Sequence, residues 1–243
     1  MALNLTGIVL SKGTHATREQ GVSVMEAAAW LAGEQHTHEP ESVCPVLVWY
    51  CLRLNDALPD DKRQRLIPLL PRLIRTAGDR KKLARQYLAV DWLIRVHTPA
   101  WLDAVNLKKE AKALRELRQI VNPGTLQAAM PAAKAAQDAA WANGQANRNL
   151  SNRAVEQAAR EVEEQTMVNA VWNAAFRTND DVDRMPPMGL PDGDTRASSE
   201  AASKARSAGW AAILIAMNGP AMRPTVNRLQ DAGVDLYQRM ISL

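Results

Sequence analysis

Histidine and cysteine side chains cluster between His15 and Leu47, in a spacing that could hold a metal ion. His36 and His38 are separated by one residue, and Cys44 follows. Zinc takes such nitrogen and sulfur ligands in a tetrahedral arrangement. The chain contains neither CxxC nor HExxH, the spacings most typical of zinc sites. We therefore expect either a zinc ion here or a polar loop that binds nothing, and no other cofactor is implied. A fourth ligand would come from one of four nearby side chains: His15, Glu39, Glu41 or Cys51.

Two carboxylates stand inside apolar runs, where acid–base chemistry is one explanation. Glu26 lies in VMEAAAW and Asp91 in LAVDWLI, and His97 follows shortly after. Burial raises the pKa of a carboxyl group, and a buried carboxylate needs a partner. A network of Glu26, Asp91 and a histidine would be a candidate catalytic centre. The competing interpretation, which we favour, is a structural polar network that fixes how the helices pack.

No nucleophile stands in a recognised catalytic motif. The chain has no GxSxG sequence, and Ser23 and Ser42 lie in no comparable turn. Cys44 with its two nearby histidines could form a thiol–imidazole pair, although the sequence does not fix their geometry. Neither GxxxxGK[ST] nor GxGxxG occurs, which argues against nucleotide hydrolysis.

Basic residues form a run at Arg80, Lys81, Lys82 and Arg85. Such a run could contact nucleic-acid phosphates, because it spans a predicted helix start and could present one patch. Acidic residues are interspersed along the same region, the net charge is only +4, and no helix-turn-helix or zinc-finger signature is present. The alternative is an ordinary solvated face.

The composition predicts an all-α fold. Alanine, the strongest helix former, is abundant, and the chain has seven Trp but one Phe. Segments in which β-branched and polar residues alternate are rare, so strands are not expected. Ala-rich helices can approach closely, with Trp and Leu filling the remaining volume. We expect a multi-helix bundle or a solenoid-like stack of antiparallel helices.

Helix signals divide the chain into two regions. Periodic apolar residues predict helices from Gln20 to Ala32, with Gly33 as its C-terminal cap, and from Arg80 to Val96. A shift towards Ala, Gln and Asn at Pro123 suggests an N-terminal domain (1–122) and an Ala-rich C-terminal region (123–243). The second region contains a linker at about 178–199 rich in Pro, Gly and Asp. Whether both regions share one core is left open.

One pattern resembles a known group of proteins. The segments VMEAAAWLAGE, HEP, CPVL and NDALPDD, followed by LIPLLPRLI and AVDWLIR, are similar to a family of uncharacterised proteins from actinobacteria and their phages. The similarity extends over most of the chain. It implies a phage or actinobacterial origin, but no activity and no catalytic residues.

These observations lead to three functional hypotheses. The first is a non-enzymatic, cytoplasmic interaction or regulatory protein that binds another protein or self-associates. The second is a metal- or carboxylate-dependent enzyme centred on residues 15–47. The third is a weak nucleic-acid-binding protein. No signal peptide and no apolar run long enough for a membrane span is present, so we expect no membrane partner.

Overall fold

The protein is an all-α bundle, as the composition predicts. The computed structural model describes residues 5–146, 153–176, 195–217 and 219–243, and these residues contain no β-strand. The α-helices in chain order are α1 Val24–Ala32, α2 Pro45–Ala57, α3 Asp60–Arg63, α4 Leu70–Leu73, α5 Lys82–Trp92, α6 Thr98–Ala104, α7 Lys108–Arg115, α8 Pro123–Ala128, α9 Met130–Ala146, α10 Arg153–Gln165, α11 Val168–Phe176, α12 Thr195–Ala216 and α13 Met222–Ile241.

Helix α1 begins four residues later than the apolar pattern predicts, because Ser23 caps it. Glu26 N donates to Ser23 Oγ, and Ser23 N donates to the Glu26 carboxylate at 2.8 Å, which together form a capping box. At the other end, Gly33 adopts φ 77°, as predicted for a left-handed C-terminal cap. Both ends of α1 are therefore fixed by local side-chain and backbone chemistry.

The predicted helix from Arg80 to Val96 is two segments in the structure. Regular α-helix α5 ends at Trp92, and Leu93–His97 forms a π-helical turn that leads directly into α6. A π turn widens the helix by one residue and is frequently found at functional sites. Here it places His97 in the core rather than on the surface.

Alanine sets the packing of the C-terminal half. Helices α9 and α12 form the most extensive helix pair in the structure. Fully buried alanines occupy both sides of it, including Ala133, Ala136 and Ala140 on α9 and Ala205 and Ala208 on α12. Such small side chains let the two backbones approach closely. Neither α12 nor any other helix in the described ranges is both long and apolar enough to cross a membrane.

Both predicted regions contribute to one contiguous hydrophobic core. Helix α11 packs on α2 and α5, and α13 packs on α2, α5 and α6. Polar contacts fasten α13 to the N-terminal region: Tyr50 Oη donates to Gly233 O at 2.8 Å, and Arg85 Nε donates to Met240 O at 3.0 Å. The boundary at 122 thus separates regions of different composition whose helices pack together. Most of the predicted linker, 178–194, lies outside the described residues.

Candidate functional site

Glu26 is buried at the start of α1, where it joins the N-terminal loop to the helix. Its Oε1 accepts a hydrogen bond from His15 N at 2.8 Å, and its Oε2 accepts from His15 Nδ1 at 2.9 Å and from Ser23 N. Burial by itself raises the pKa of Glu26, but the hydrogen bonds from Ser23 and His15 outweigh it and lower the pKa below its ordinary value. Glu26 is therefore an ionised carboxylate in a fixed position.

The imidazole of His15 continues this cluster to a serine hydroxyl. His15 Nε2 lies 3.2 Å from Ser11 Oγ, on the opposite side of the ring from Glu26. An ionised carboxylate can only accept hydrogen bonds, so Nδ1 is the donor to Glu26 and Nε2 of the neutral ring is an acceptor. The structure thus aligns a hydroxyl, an imidazole and a carboxylate.

Asp91 has partners of its own and does not meet Glu26. Its Oδ1 accepts from Arg95 Nη1 at 3.0 Å and from Ile120 N at 2.9 Å. These contacts join α5 to the segment that follows α7. The proposed network of Glu26, Asp91 and a histidine is therefore not assembled, because the two carboxylates share no hydrogen-bond partner. Asp91 therefore has a structural role, because it connects α5 to the segment that follows α7.

His97 is also separate from both carboxylates. It is fully buried, its Nε2 lies 3.3 Å from Thr166 Oγ1, and its ring packs 5.6 Å from the ring of Trp92. Burial, with a smaller contribution from the positive charge of Arg206, lowers the pKa of His97 to about 3. The ring is neutral at physiological pH, and its surroundings are those of a core residue rather than of a catalytic acid or base.

The predicted metal ligands occupy different environments. His36 is exposed, and its Nε2 donates to His15 O at 2.8 Å. His38 is exposed beside Glu39, whereas Cys44 is a buried free thiol at the N-terminus of α2. Within the described part of the chain, no group of three His, Cys, Asp or Glu residues is placed to hold a metal ion. The two histidines lie in an exposed loop and the cysteine lies at the start of α2, so the spacing that suggested zinc does not form a metal site.

The four residues of the predicted basic run also lie in different environments. Arg85 is fully buried and pairs with Asp79, with Nη1 donating to Asp79 Oδ1 at 2.8 Å. Its guanidinium therefore holds the core and is not available to a phosphate. Arg80 is exposed, and Lys81 and Lys82 are half-buried, so the surface patch is smaller than the sequence predicts.

A second site, which the sequence analysis missed, is a groove of about 520 Å³ between α10, α11 and α12. We call it the tryptophan groove. Trp172 on α11 and Trp210 on α12 are both half-buried in its wall. Eight residues line it: Glu156, Arg160, Glu163, Trp172, Ser203, Arg206, Ser207 and Trp210.

Each tryptophan of the groove carries an arginine over its ring. Arg206 Cζ lies 5.1 Å from the ring centre of Trp172, and Arg160 Cζ lies 5.7 Å from that of Trp210. Arg206 is held in place: its Nε donates to Glu163 Oε1 at 3.2 Å and its Nη2 to Asn169 Oδ1 at 3.1 Å. Flat indole faces and oriented guanidinium groups are therefore presented together.

Sequence reasoning missed this groove because its residues come from three helices. Arg160 precedes Trp210 by fifty positions, so no local motif contains the pair. The available signal was arginine inside Ala-rich helices near tryptophan, as in Arg206 four residues before Trp210.

Comparison with protein-family models, curated proteins and solved structures gives no match to this chain. The chemistry of the groove is therefore the basis for a functional proposal.

Proposed function

We propose that the protein acts by binding another protein, and that the tryptophan groove holds a partner segment with one carboxylate beside an apolar side chain. The observation that supports this most directly is the combination of two half-buried tryptophans with two arginines in one groove. Trp and Arg are the residue types most enriched among side chains that dominate protein–protein binding energy. Other tryptophans, such as Trp92 and Trp101, are buried in the core.

The arginines define the expected partner chemistry. Arg160 is exposed and forms no ion pair with the residues that the structure describes. Arg206 uses Nε and Nη2 for Glu163 and Asn169, and its Nη1 donates to none of the residues that the structure describes. Guanidinium N–H groups recognise carboxylates with directional hydrogen bonds. An apolar side chain next to that carboxylate would then pack on the parts of the two half-buried indole rings that the arginines leave open.

The charge balance of the groove favours one carboxylate over a polyanion. Two arginines are matched by Glu156 and Glu163, so the lining is neutral overall. Nucleic-acid binding depends on an excess of positive charge along the phosphate backbone. The groove therefore supports protein binding better than the nucleic-acid hypothesis.

A reducing compartment fits this proposal. Cys44 and Cys51 are both free thiols buried in the core, and unpaired cysteines are typical of proteins kept in reducing conditions. We therefore propose the cytoplasm as the location. The resemblance to actinobacterial and phage proteins stays a prediction and indicates where a partner should be sought.

A peptide library tests the proposal without a known partner. Peptides with every pairing of an acidic, basic or neutral residue with an apolar or polar neighbour are selected on the full-length protein. We expect the bound peptides to be enriched in a carboxylate next to an aromatic or large aliphatic residue. Arg160→Glu is expected to weaken their binding at least tenfold, which corresponds to about 1.4 kcal/mol. It should also shift selection towards basic peptides, because it replaces a guanidinium that attracts a carboxylate with a like charge that repels it.

A matched control exists outside the groove. Trp30 is partly exposed, and Arg18 Cζ lies 3.2 Å from its ring centre, so this pair has the same composition outside the groove. Trp30→Ala should leave peptide selection unchanged, whereas Trp210→Ala should abolish it while far-ultraviolet circular dichroism remains that of the wild type. Selection that is indifferent to Arg160→Glu would refute the proposed site.

A further inference from the structure

We infer that Ser11 is an activated nucleophile, with His15 as its general base, that accepts a small acyl group from an activated ester. Ser11 Oγ lies 3.2 Å from His15 Nε2, and His15 Nδ1 lies 2.9 Å from Glu26 Oε2. This is the order and spacing in which a carboxylate orients an imidazole that in turn removes the proton of a hydroxyl. The site is separate from the tryptophan groove and does not depend on it.

Main-chain hydrogen bonds hold the carboxylate of Glu26 in position. Glu26 accepts hydrogen bonds from the main-chain N–H groups of His15 and Ser23 in addition to the His15 ring. These bonds keep it ionised and immobile at the start of α1. The ionised carboxylate fixes the proton of His15 on Nδ1 and stabilises the imidazolium that forms when Nε2 takes a proton.

The hydroxyl end is also held in place. Ser11 N donates to Val22 O at 2.8 Å, and Val22 N donates to Ser11 Oγ at 2.9 Å. The second bond fixes the position of the Ser11 oxygen, which accepts it through one lone pair and keeps the other for attack. Val22 O is a weaker competing acceptor for the Ser11 proton, at 3.4 Å against 3.2 Å for His15 Nε2.

Gly21 is required for this arrangement. Its φ is +149°, and a Cβ at this position would lie 2.5 Å from His15 Nε2 and 2.6 Å from Ser11 Oγ. The main chain therefore passes directly over the serine–histidine contact, and no larger residue fits there. Ser11 and His15 are half-buried, so the acyl group proposed here is a small one, such as acetyl.

The proposed step is an acyl transfer that is balanced without any cofactor. Ser11 Oγ forms a bond to the ester carbonyl carbon while its proton passes to His15 Nε2. The carbon–oxygen bond to the leaving alcohol then breaks, and the leaving oxygen takes up the proton from His15. Water repeats the sequence in the second half-reaction, releasing the carboxylic acid and restoring the Ser11 hydroxyl.

Chemical labelling of the full-length protein tests the inference. The protein is incubated at pH 8 with p-nitrophenyl acetate and, separately, with a fluorophosphonate, which would transfer a phosphonyl group to Ser11 with loss of fluoride. Adducts are located by peptide mass spectrometry. We expect acetyl and phosphonyl adducts on Ser11. His15→Gln is expected to slow their formation about 100-fold or more, because a positioned general base contributes at least that factor.

Two controls separate a relay from incidental reactivity. His36→Gln removes a histidine that contacts the His15 main chain but not the serine, and it should keep the wild-type labelling rate. His38→Gln, in an exposed loop, should also keep it. Wild-type protein that carries adducts only on lysines, or an unchanged labelling rate at Ser11 in His15→Gln, would overturn the inference. The wild-type result decides even if a variant fails to fold.

Discussion

Proton uptake by His97 in the unfolded chain should destabilise the fold as the pH falls from 7 to 5. The side chain is fully buried between the π-helical turn, Trp92 and Thr166. Burial and the charge of Arg206 lower its pKa from 6.5 to about 3. In the unfolded chain the histidine takes up a proton near pH 6.5, whereas in the folded protein it stays neutral until the pH approaches 3.

The magnitude follows from the separation of the two pKa values. Because the pKa of His97 is lower in the folded protein, the unfolded state binds more protons below pH 6.5. The free energy of unfolding therefore decreases as the pH decreases. With pKa values of 6.5 unfolded and about 3 folded, the loss between pH 7 and pH 5 is about 2 kcal/mol, at about 1.36 kcal/mol per pKa unit. Domains of this kind are stable by only about 5–15 kcal/mol, so the change is measurable.

Urea denaturation at pH 7 and pH 5 measures this loss. His97→Gln keeps an amide that can bond to Thr166 but cannot titrate, so its stability should change by less than about 0.5 kcal/mol over the same interval. Glu26, whose pKa is lowered, contributes stability that is lost only below its ordinary pKa of about 4.5. His38→Gln, in an exposed loop, should keep the wild-type pH dependence. A wild-type pH dependence in His97→Gln would refute the reasoning.

Three further substitutions test how the bundle is held together. Arg85→Ala leaves the Asp79 carboxylate without its partner and should lower the free energy of unfolding by about 3 kcal/mol, with faster hydrogen exchange in α13. Gly233→Ala would place a Cβ 2.7 Å from Met167 Cγ and should cost about 1–3 kcal/mol in urea denaturation; adding Met167→Ala should recover part of it. Gly33→Ala should cost about 1 kcal/mol in the same measurement, because φ there is 77°; no loss would contradict the cap.

Much of the fold could be predicted because local rules decide it. The glycine cap at Gly33 and the helical state of the Ala-rich segments that form α9 and α12 follow from propensity and spacing, although their pairing does not. The start of α1 was predicted too early, since the sequence did not show that Ser23 and Glu26 cap each other. The π-helical turn at Leu93–His97 was missed, because its apolar pattern continues that of α5.

The site was harder to predict because its geometry depends on distant residues. Glu26 was identified from its apolar surroundings, but its partner His15 lies across a turn that depends on Gly21. Ser11 stands in no catalytic motif and becomes notable only when the loop brings it to His15. The same limitation applies to Arg160 and Trp210, which meet only after α10 and α12 pack together.

A buried charge in an apolar run is equally consistent with stability and with catalysis. What separates the two is whether the native contacts leave an atom able to engage another molecule. Arg85 and Asp91 are satisfied by partners that join segments of the chain, which makes them structural ties. Arg206 lines an open groove, and within the described part of the chain its Nη1 makes no hydrogen bond. The Ser11 hydroxyl is oriented by a base with a fixed tautomer. Function is therefore best sought at these two places, where the fold holds a reactive or binding group in position without using all of its bonding capacity.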